Sequence, residues 1–223
     1  MSRYTPMLRQ YLEIKKRHQD CILFFRLGDF YEMFFDDALY AAEQLNIVLT
    51  AREGGQGKKI PMCGVPYHSA AGYIQKLIAA GQRVAICEQI EDAKEAKGLV
   101  KRDVVRIITP GTMADGDFLA PDQNNFLMSI YYADGTYGYG IVDVSTGFFR
   151  CGQFDEDNGL ELLIDEFMKY SPAEIVTNLE LTDFKELHTV IKSNNVPVNK
   201  AAEDDDLLDD KLKGKISFQD IPF

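Results

Sequence analysis

CILFFRLGDFYEMFF, Cys21 to Phe35, decides how the amino-terminal half of the chain is read. CILFFRL is an apolar run rich in β-formers and reads as a buried strand. The next residues admit two readings. Three aromatic residues and two carboxylates fall between Gly28 and Phe34. Taking Asp29 as an N-cap makes Phe30 the first residue of a helix, and Glu32 then completes a capping box by reaching back to the cap's N–H. That helix runs to about Leu45, with Tyr31, Phe34, Phe35, Ala38, Ala42 and Leu45 on one face. Phe30 stands about a quarter turn off that face. It is either a cover for a sheet edge or an exposed ring free to act as a wedge between base steps. On the helical reading, the free N–H groups of the helix start would suit phosphate.

Upstream, Thr5 and Pro6 form an N-cap and first-turn pair that opens a helix to about Arg17. Downstream, Ile47 to Thr50 reads as a strand, and a short strand leads into PMCGVP. Ser69 is then placed to cap a helix whose apolar residues Ala70, Tyr73, Ile74, Leu77 and Ile78 keep helical spacing, closed by Gly81. RVAICEQI and DVVRIIT read as buried strands. Strands alternating with helices make this an α/β domain with a mixed or mostly parallel sheet, over residues 1–112.

Residues 113–123 lie in a Pro, Gly, Asp and Asn-rich stretch and read as a linker. From 124 to 223 the texture changes. FLMSIYYA, TYGYGIVDVS and FFRCGQF form a three-stranded meander with turns at Asp134–Gly135 and near Thr146–Gly147. A helix from about Gly159 to Tyr170, the strand AEIVT and a helix near Phe184 to Ser193 follow. Strands first and α/β afterwards predict a ribonuclease-H-like domain. The acidic end, AAEDDDLLDDKLKGKISFQDIPF, has no structural stop signal and suggests a chain cut from something longer.

The chain has 223 residues, 46% of them hydrophobic, enough to fill real cores. Its formal net charge of −11 opposes a nucleic-acid partner only at first sight. Residues 1–112 carry 16 Lys and Arg against 13 Asp and Glu, or +3, and the remainder carry 8 against 22, or −14. The first half is therefore the one suited to a phosphate backbone. No apolar run spans a bilayer, the start MSRYTPMLRQ lacks a signal-peptide core, and a cytoplasmic location is expected. Cys21, Cys63, Cys87 and Cys151 form no CxxC pair, so neither zinc nor a redox motif is indicated.

GGQGKK, Gly54 to Lys59, is not a phosphate loop, because Arg52 and Lys59 occupy the places that require Gly and a hydroxyl. It reads as a hairpin tip, solvated or resting on DNA backbone through Lys58 and Lys59. His68, beside Pro66 and Tyr67, either touches DNA or orients the turn. Asp143 and Asp165 raise the alternative of a metal-dependent nuclease, since ribonuclease-H-like folds cleave with clustered carboxylates and two metal ions. The spacing supplies no second and third partner, and Asp143 before a turn reads as a turn-flanking residue.

FFRLGDFYEMFFDDA, IPMCGVPYHSAAGYIQKLIAAGQRVAICEQIEDA and VVRIITPGT together closely resemble the amino-terminal part of the bacterial MutS family of DNA mismatch repair proteins. The resemblance covers the whole chain. It implies a mismatch-binding domain over residues 1–112 and a ribonuclease-H-like connector domain, incomplete at its end, over 124–223. It implies that Phe30 stacks on a mispaired or unpaired base while Glu32 hydrogen-bonds to it. Tyr31, Arg52, Lys58, Lys59 and His68 follow as candidate DNA contacts. It further implies a homodimeric parent, a connector that meets a MutL-type repair protein, and no catalysis in this part. ATP and magnesium would belong to a further domain, and no cofactor or metal is expected here. A protein-interaction module alone remains the other alternative.

Overall fold

In the computed structural model, residues 4–91, 98–113 and 124–201 are described. The first domain contains helix α1 (Pro6–Arg17), strands β1 (Cys21–Leu27) and β2 (Phe30–Phe34), helix α2 (Phe35–Leu45), strands β3 (Thr50–Gly55) and β4 (Lys58–Pro66), helix α3 (Ala70–Ala79), and strands β5 (Arg83–Gln89) and β6 (Arg102–Ile108). α1 is locally encoded. The Thr5 hydroxyl accepts the Leu8 N–H, Pro6 occupies the first turn, and Lys15, Lys16 and Arg17 sit at the negative end of the helix dipole.

The helix expected from Phe30 is corrected. Phe30–Phe34 is a strand and the helix begins at Phe35. Gly28 has φ +58°, which a glycine adopts freely, and the two-residue Gly28–Asp29 turn folds β2 back antiparallel onto β1, Leu27 opposite Phe30 and Phe25 opposite Glu32. β2 gains a second antiparallel partner in β4, with Phe30 opposite Pro66 and Glu32 opposite Gly64. Two ladders of backbone hydrogen bonds outweigh a capping box, so neither the Asp29 cap nor the anion-binding helix start exists at this place.

Two smaller expectations also shift. β3 starts at Thr50, leaving Ile47, Val48 and Leu49 outside the ladder after Asn46 ends α2 in the left-handed region. β6 lies at the sheet edge and is only partly buried. The sheet order is β3-β4-β2-β1-β5-β6, and only β1 and β5 run parallel, so the sheet is mixed and mainly antiparallel.

Helices cover both faces. α2 and α3 enclose a core with Phe24, Tyr31, Met33, Ile74, Leu77 and Val84. On the opposite face α1 packs Leu8, Tyr11 and Ile14 against Leu23, Phe25 and Phe34. Asp37, buried at the start of α2, links the two. It accepts the Leu23 N–H at 3.0 Å, the Tyr11 hydroxyl at 3.0 Å and the Lys15 ammonium at 2.8 Å, so its charge is compensated.

The second domain holds β7 (Phe126–Ala133), β8 (Thr136–Asp143), β9 (Phe148–Asp155), α4 (Glu156–Tyr170), β10 (Glu174–Thr177), α5 (Lys185–Ser193) and a short β11 (Val198–Lys200) that the sequence reading lacked. Its strand order is β11-β10-β7-β8-β9, with an antiparallel meander and then two parallel strands, the ribonuclease-H-like order. Leu163 and Phe167 of α4 and Leu187 and Ile191 of α5 share one core with Met128, Ile130, Ile141 and Ile175.

The chain leaves β6 through a short 3-10 turn, Pro110–Thr112, that docks on this second sheet. The Gly111 N–H donates to Glu174 at 2.8 Å, and the Asn125 amide donates to the Pro110 carbonyl at 2.8 Å. Most of the expected linker and the acidic end beyond Ala201 lie outside the described residues. Cys21, Cys63 and Cys87 are buried thiols and Cys151 is partly buried, with no disulfide among them. Among the described residues no helix is long and apolar enough to cross a membrane.

Candidate functional site

The β1–β2 hairpin presents Phe30 at its tip. Alternation along β2 sends Phe30 and Glu32 to one face and Tyr31 and Met33 to the other. At the Phe34 end that first face is closed by α1, but Phe30 remains 47% exposed. A ring in that position contributes little to the core, and it stands free of the helices that bury its neighbours.

Glu32 follows on the same face, partly buried. Its Oε2 lies 2.5 Å from Nη1 of Arg52, which reaches it from β3. Burial raises the Glu32 carboxyl above its ordinary value, and the Arg52 guanidinium offsets only part of that rise. Opposite Glu32 stands Gly64, where an added Cβ would lie 3.4 Å from Glu32 Cγ and 3.2 Å from the Tyr31 carbonyl. Glycine therefore leaves room for the carboxylate to lie across the sheet. The result is an apolar ring, a partly desolvated carboxyl and a paired guanidinium on one open stretch of sheet.

The other expected contacts separate into two groups. His68 is exposed in the short turn after β4, edge-on to Tyr67 at 5.8 Å, and that turn adjoins Pro66, the partner of Phe30. Lys58 and Lys59 are also exposed, but they begin β4 at its far end, opposite Gly55 and Glu53. Seven positions of strand separate Lys59 from Pro66, roughly 23 Å at about 3.3 Å per residue. The structure does not bring the two lysines to the Phe30 end.

Tyr31 is corrected as a surface contact. It is 8% exposed, packs against Phe24 with ring centroids 5.7 Å apart, and donates its hydroxyl to Glu88. Burial and the Glu88 carboxylate push that hydroxyl up to about 12. A strand, unlike a helix start, obliges neighbours to face opposite ways, which is why Tyr31 cannot share the face of Phe30.

Sequence reasoning missed Arg26 and left Tyr67 without a role. The Arg26 guanidinium carbon lies 3.6 Å from the centroid of the Tyr67 ring, and Arg26 Nε donates to the Gly28 carbonyl at 2.6 Å. The β1–β2 register, had it been drawn, would have set Arg26 beside the turn.

In the second domain Asp143 is fully buried. Its Oδ2 accepts the Asn125 N–H at 3.2 Å, and its Oδ1 accepts the Ser145 N–H at 2.9 Å and the Ser145 hydroxyl at 2.6 Å. Burial alone would raise this carboxyl, but the hydrogen bonds from Ser145, Asn125 and Thr146 outweigh it and hold the group below its ordinary value. Oδ1 serves the β8–β9 turn, where the Gly147 N–H also returns to the Asp143 carbonyl, and Oδ2 holds the chain just before β7. Asp165 is exposed on α4. Among the described residues no group of three or more His, Cys, Asp or Glu is placed to hold a metal ion.

Comparison with known proteins gives two adjoining family matches, MutS domain I over residues 5–117 and MutS domain II over residues 125–215. The DNA mismatch repair protein MutS of Acetivibrio thermocellus is 53% identical over 192 residues, covering 86% of this chain and 22% of that protein. That of Pelotomaculum thermopropionicum is 54% identical over 177 residues, covering 79% of this chain and 20% of the relative. That of Caldanaerobacter subterraneus is 50% identical over 195 residues, covering 87% and 22%. The chain thus spans about a fifth of the length of the curated relatives it matches. With both matches falling on the two α/β domains just described, the chain belongs to the MutS family and comprises its domains I and II.

Proposed function

We propose that this chain reads mispaired or unpaired bases in duplex DNA as the front end of mismatch repair, with Phe30 as the wedge and Glu32 as the polar contact to the displaced base. The observation that carries the reading is the half-exposed Phe30 ring at the tip of a tight hairpin, beside the Glu32–Arg52 pair. A ring inserted between base steps costs a few kcal/mol of unstacking, and a mispair, already loosened, lowers that cost. Discrimination then follows deformability and not a base code, so one site serves many mispairs. Glu32 repels phosphate unless a base edge satisfies it, which penalises binding where no base is displaced. Arg52 is placed to neutralise that charge or to contact the backbone, and His68 flanks the same end.

The rest of the assignment is proposed with it. The two domains act within a homodimeric cytoplasmic protein whose ATP and magnesium are bound by a domain outside this chain. The second domain contacts a MutL-type repair protein and performs no cleavage, since Asp143 is committed to its turn.

The test is titration of a full-length MutS protein carrying these domains against matched and G·T duplexes at one salt concentration. Phe30→Ala should remove most of the preference for the mispair. Glu32→Ala should strengthen binding to matched duplex while weakening selection, so the ratio falls from both sides. Unchanged selectivity in Phe30→Ala would refute the wedge.

A further inference from the structure

We propose that Arg26 and Tyr67 form a clamp that holds the Gly28–Asp29 turn rigid, so that Phe30 is presented to DNA as a preorganised wedge; Arg26 and Tyr67 are positioning residues, and the proposal rests on the reading of Phe30 above. Both carbonyls of the turn are taken up by this pair. Arg26 Nε donates to the Gly28 carbonyl at 2.6 Å, and the Tyr67 N–H donates to the Asp29 carbonyl at 2.9 Å. The two side chains close on each other, with the guanidinium carbon 3.6 Å from the Tyr67 ring centroid.

The clamp is anchored behind the tip. Nη1 of Arg26 lies 3.6 Å from Oε1 of Glu88 on β5, and the same carboxylate accepts the Tyr31 hydroxyl. Arg26 is opposite Tyr31 in the hairpin register while Leu27 is opposite Phe30, so Arg26 supports the tip from the face that Phe30 does not use. A guanidinium suits the task because it stacks flat on a ring while its Nε–H donates in the plane, which an ammonium cannot do. Tyr67 is 44% exposed, so its ring is held there by Arg26 and not by a surrounding core.

A two-residue turn that projects from the ends of its strands beside an exposed ring is otherwise the kind of segment that opens easily. Fixing it before DNA arrives removes an ordering cost from the binding step, and that gain appears only when the wedge is inserted. Matched duplex, which admits no wedge, draws little from it.

The experiment compares Arg26→Lys, Tyr67→Ala, Tyr67→Phe and Phe30→Ala in a full-length MutS protein carrying these domains, each titrated with G·T and matched duplexes at one salt concentration. Arg26→Lys and Tyr67→Ala should weaken G·T binding by roughly two- to thirty-fold, the range expected for loss of a cation–π contact, with matched-duplex affinity within about twofold of the parent. Tyr67→Phe, which keeps the ring, should behave as the parent does. Without DNA, amide exchange at Tyr67 should quicken in Arg26→Lys, because the Tyr67 N–H bonds the turn. Equal losses on both duplexes would make Arg26 a phosphate contact and overturn the clamp. So would unchanged G·T binding in Arg26→Lys and Tyr67→Ala while Phe30→Ala loses its selectivity. Selectivity retained in Phe30→Ala would instead overturn the wedge, and the clamp's purpose with it.

Discussion

Phe30 and Phe34 lie on one strand and one face, four residues apart, and differ mainly in burial: 47% exposed against 0%. Truncating each to alanine therefore separates the proposed wedge ring from a structural one. Phe34 packs edge-on against Tyr11 with centroids 5.0 Å apart, in the core under α1. Its removal should cost about 3 to 5 kcal/mol, transfer and cavity together. Full burial of a Phe side chain is worth about 1.5 to 3 kcal/mol, so Phe30, about half covered, should cost roughly 1 kcal/mol. At about 2 to 4 °C per kcal/mol for a protein of this size, Phe30→Ala should lower the melting temperature by roughly 2 to 4 °C and Phe34→Ala by roughly 6 to 20 °C.

DNA binding should show the opposite ranking. Base–aromatic stacking is worth about 1 to 3 kcal/mol per base, so Phe30→Ala should lose roughly 5- to 150-fold in mispair selectivity. Phe34→Ala, measured below its own melting point, should retain it. Circular dichroism melts paired with duplex titrations make the comparison. A Phe30→Ala melting loss as large as that of Phe34→Ala would show that the ring belongs to the core, and the wedge argument would fail.

Arg52→Ala should move the Glu32 carboxyl further above its ordinary value, as a side-chain NMR titration would register, because Arg52 is the group that lowers it. Since a raised folded value gives stability that is present at low pH and lost as pH rises through it, Arg52→Ala should cost more stability at pH 7 than near pH 4. Asp143→Asn should destabilise the second domain by about 1 to 3 kcal/mol through loss of charge-assisted hydrogen bonds. In the parent the Asp143 contribution, from a lowered folded value, is present above pH 3.8 and lost as pH falls through that lower value, so acid melts of parent and variant should converge. Magnesium or manganese should release no fragments from single-stranded, duplex or hybrid substrates. Gly111→Ala places a Cβ 2.9 Å from Glu174 Cβ and 3.0 Å from Leu127 Cβ, and should cost about 1 to 3 kcal/mol in thermal unfolding of the second domain; an unchanged melt would mean the docked turn is not held there.

The sequence by itself determined the features whose physics is local. Thr5 and Pro6 start α1 because a hydroxyl and a fixed φ act within one turn. The apolar spacing from Ala70 to Ile78 delivers α3, although Ser69 makes no side-chain cap and instead donates to the Pro66 carbonyl. The meander, its turns at Asp134–Gly135 and Gly147, and the α4 stripe of Leu163 and Phe167 were legible for the same reason. From these elements the ribonuclease-H-like order of the second domain followed, with β11 missed because three residues carry no period.

Only the tertiary structure decided FYEMF. Five residues hold too few turns to separate a helical from an alternating pattern, and the deciding hydrogen bonds come from β1 and from β4, some thirty residues away. That one change relocated the site. It put Phe30 on a hairpin tip, buried Tyr31 on the opposite face, and laid Glu32 across Gly64 to Arg52. It also joined Arg26 to Tyr67 behind the turn, a contact between residues distant in the chain that no spacing encodes. Residue types at the site were readable because chemistry is local; which of them share a face was not, because facing is set by pairing between strands.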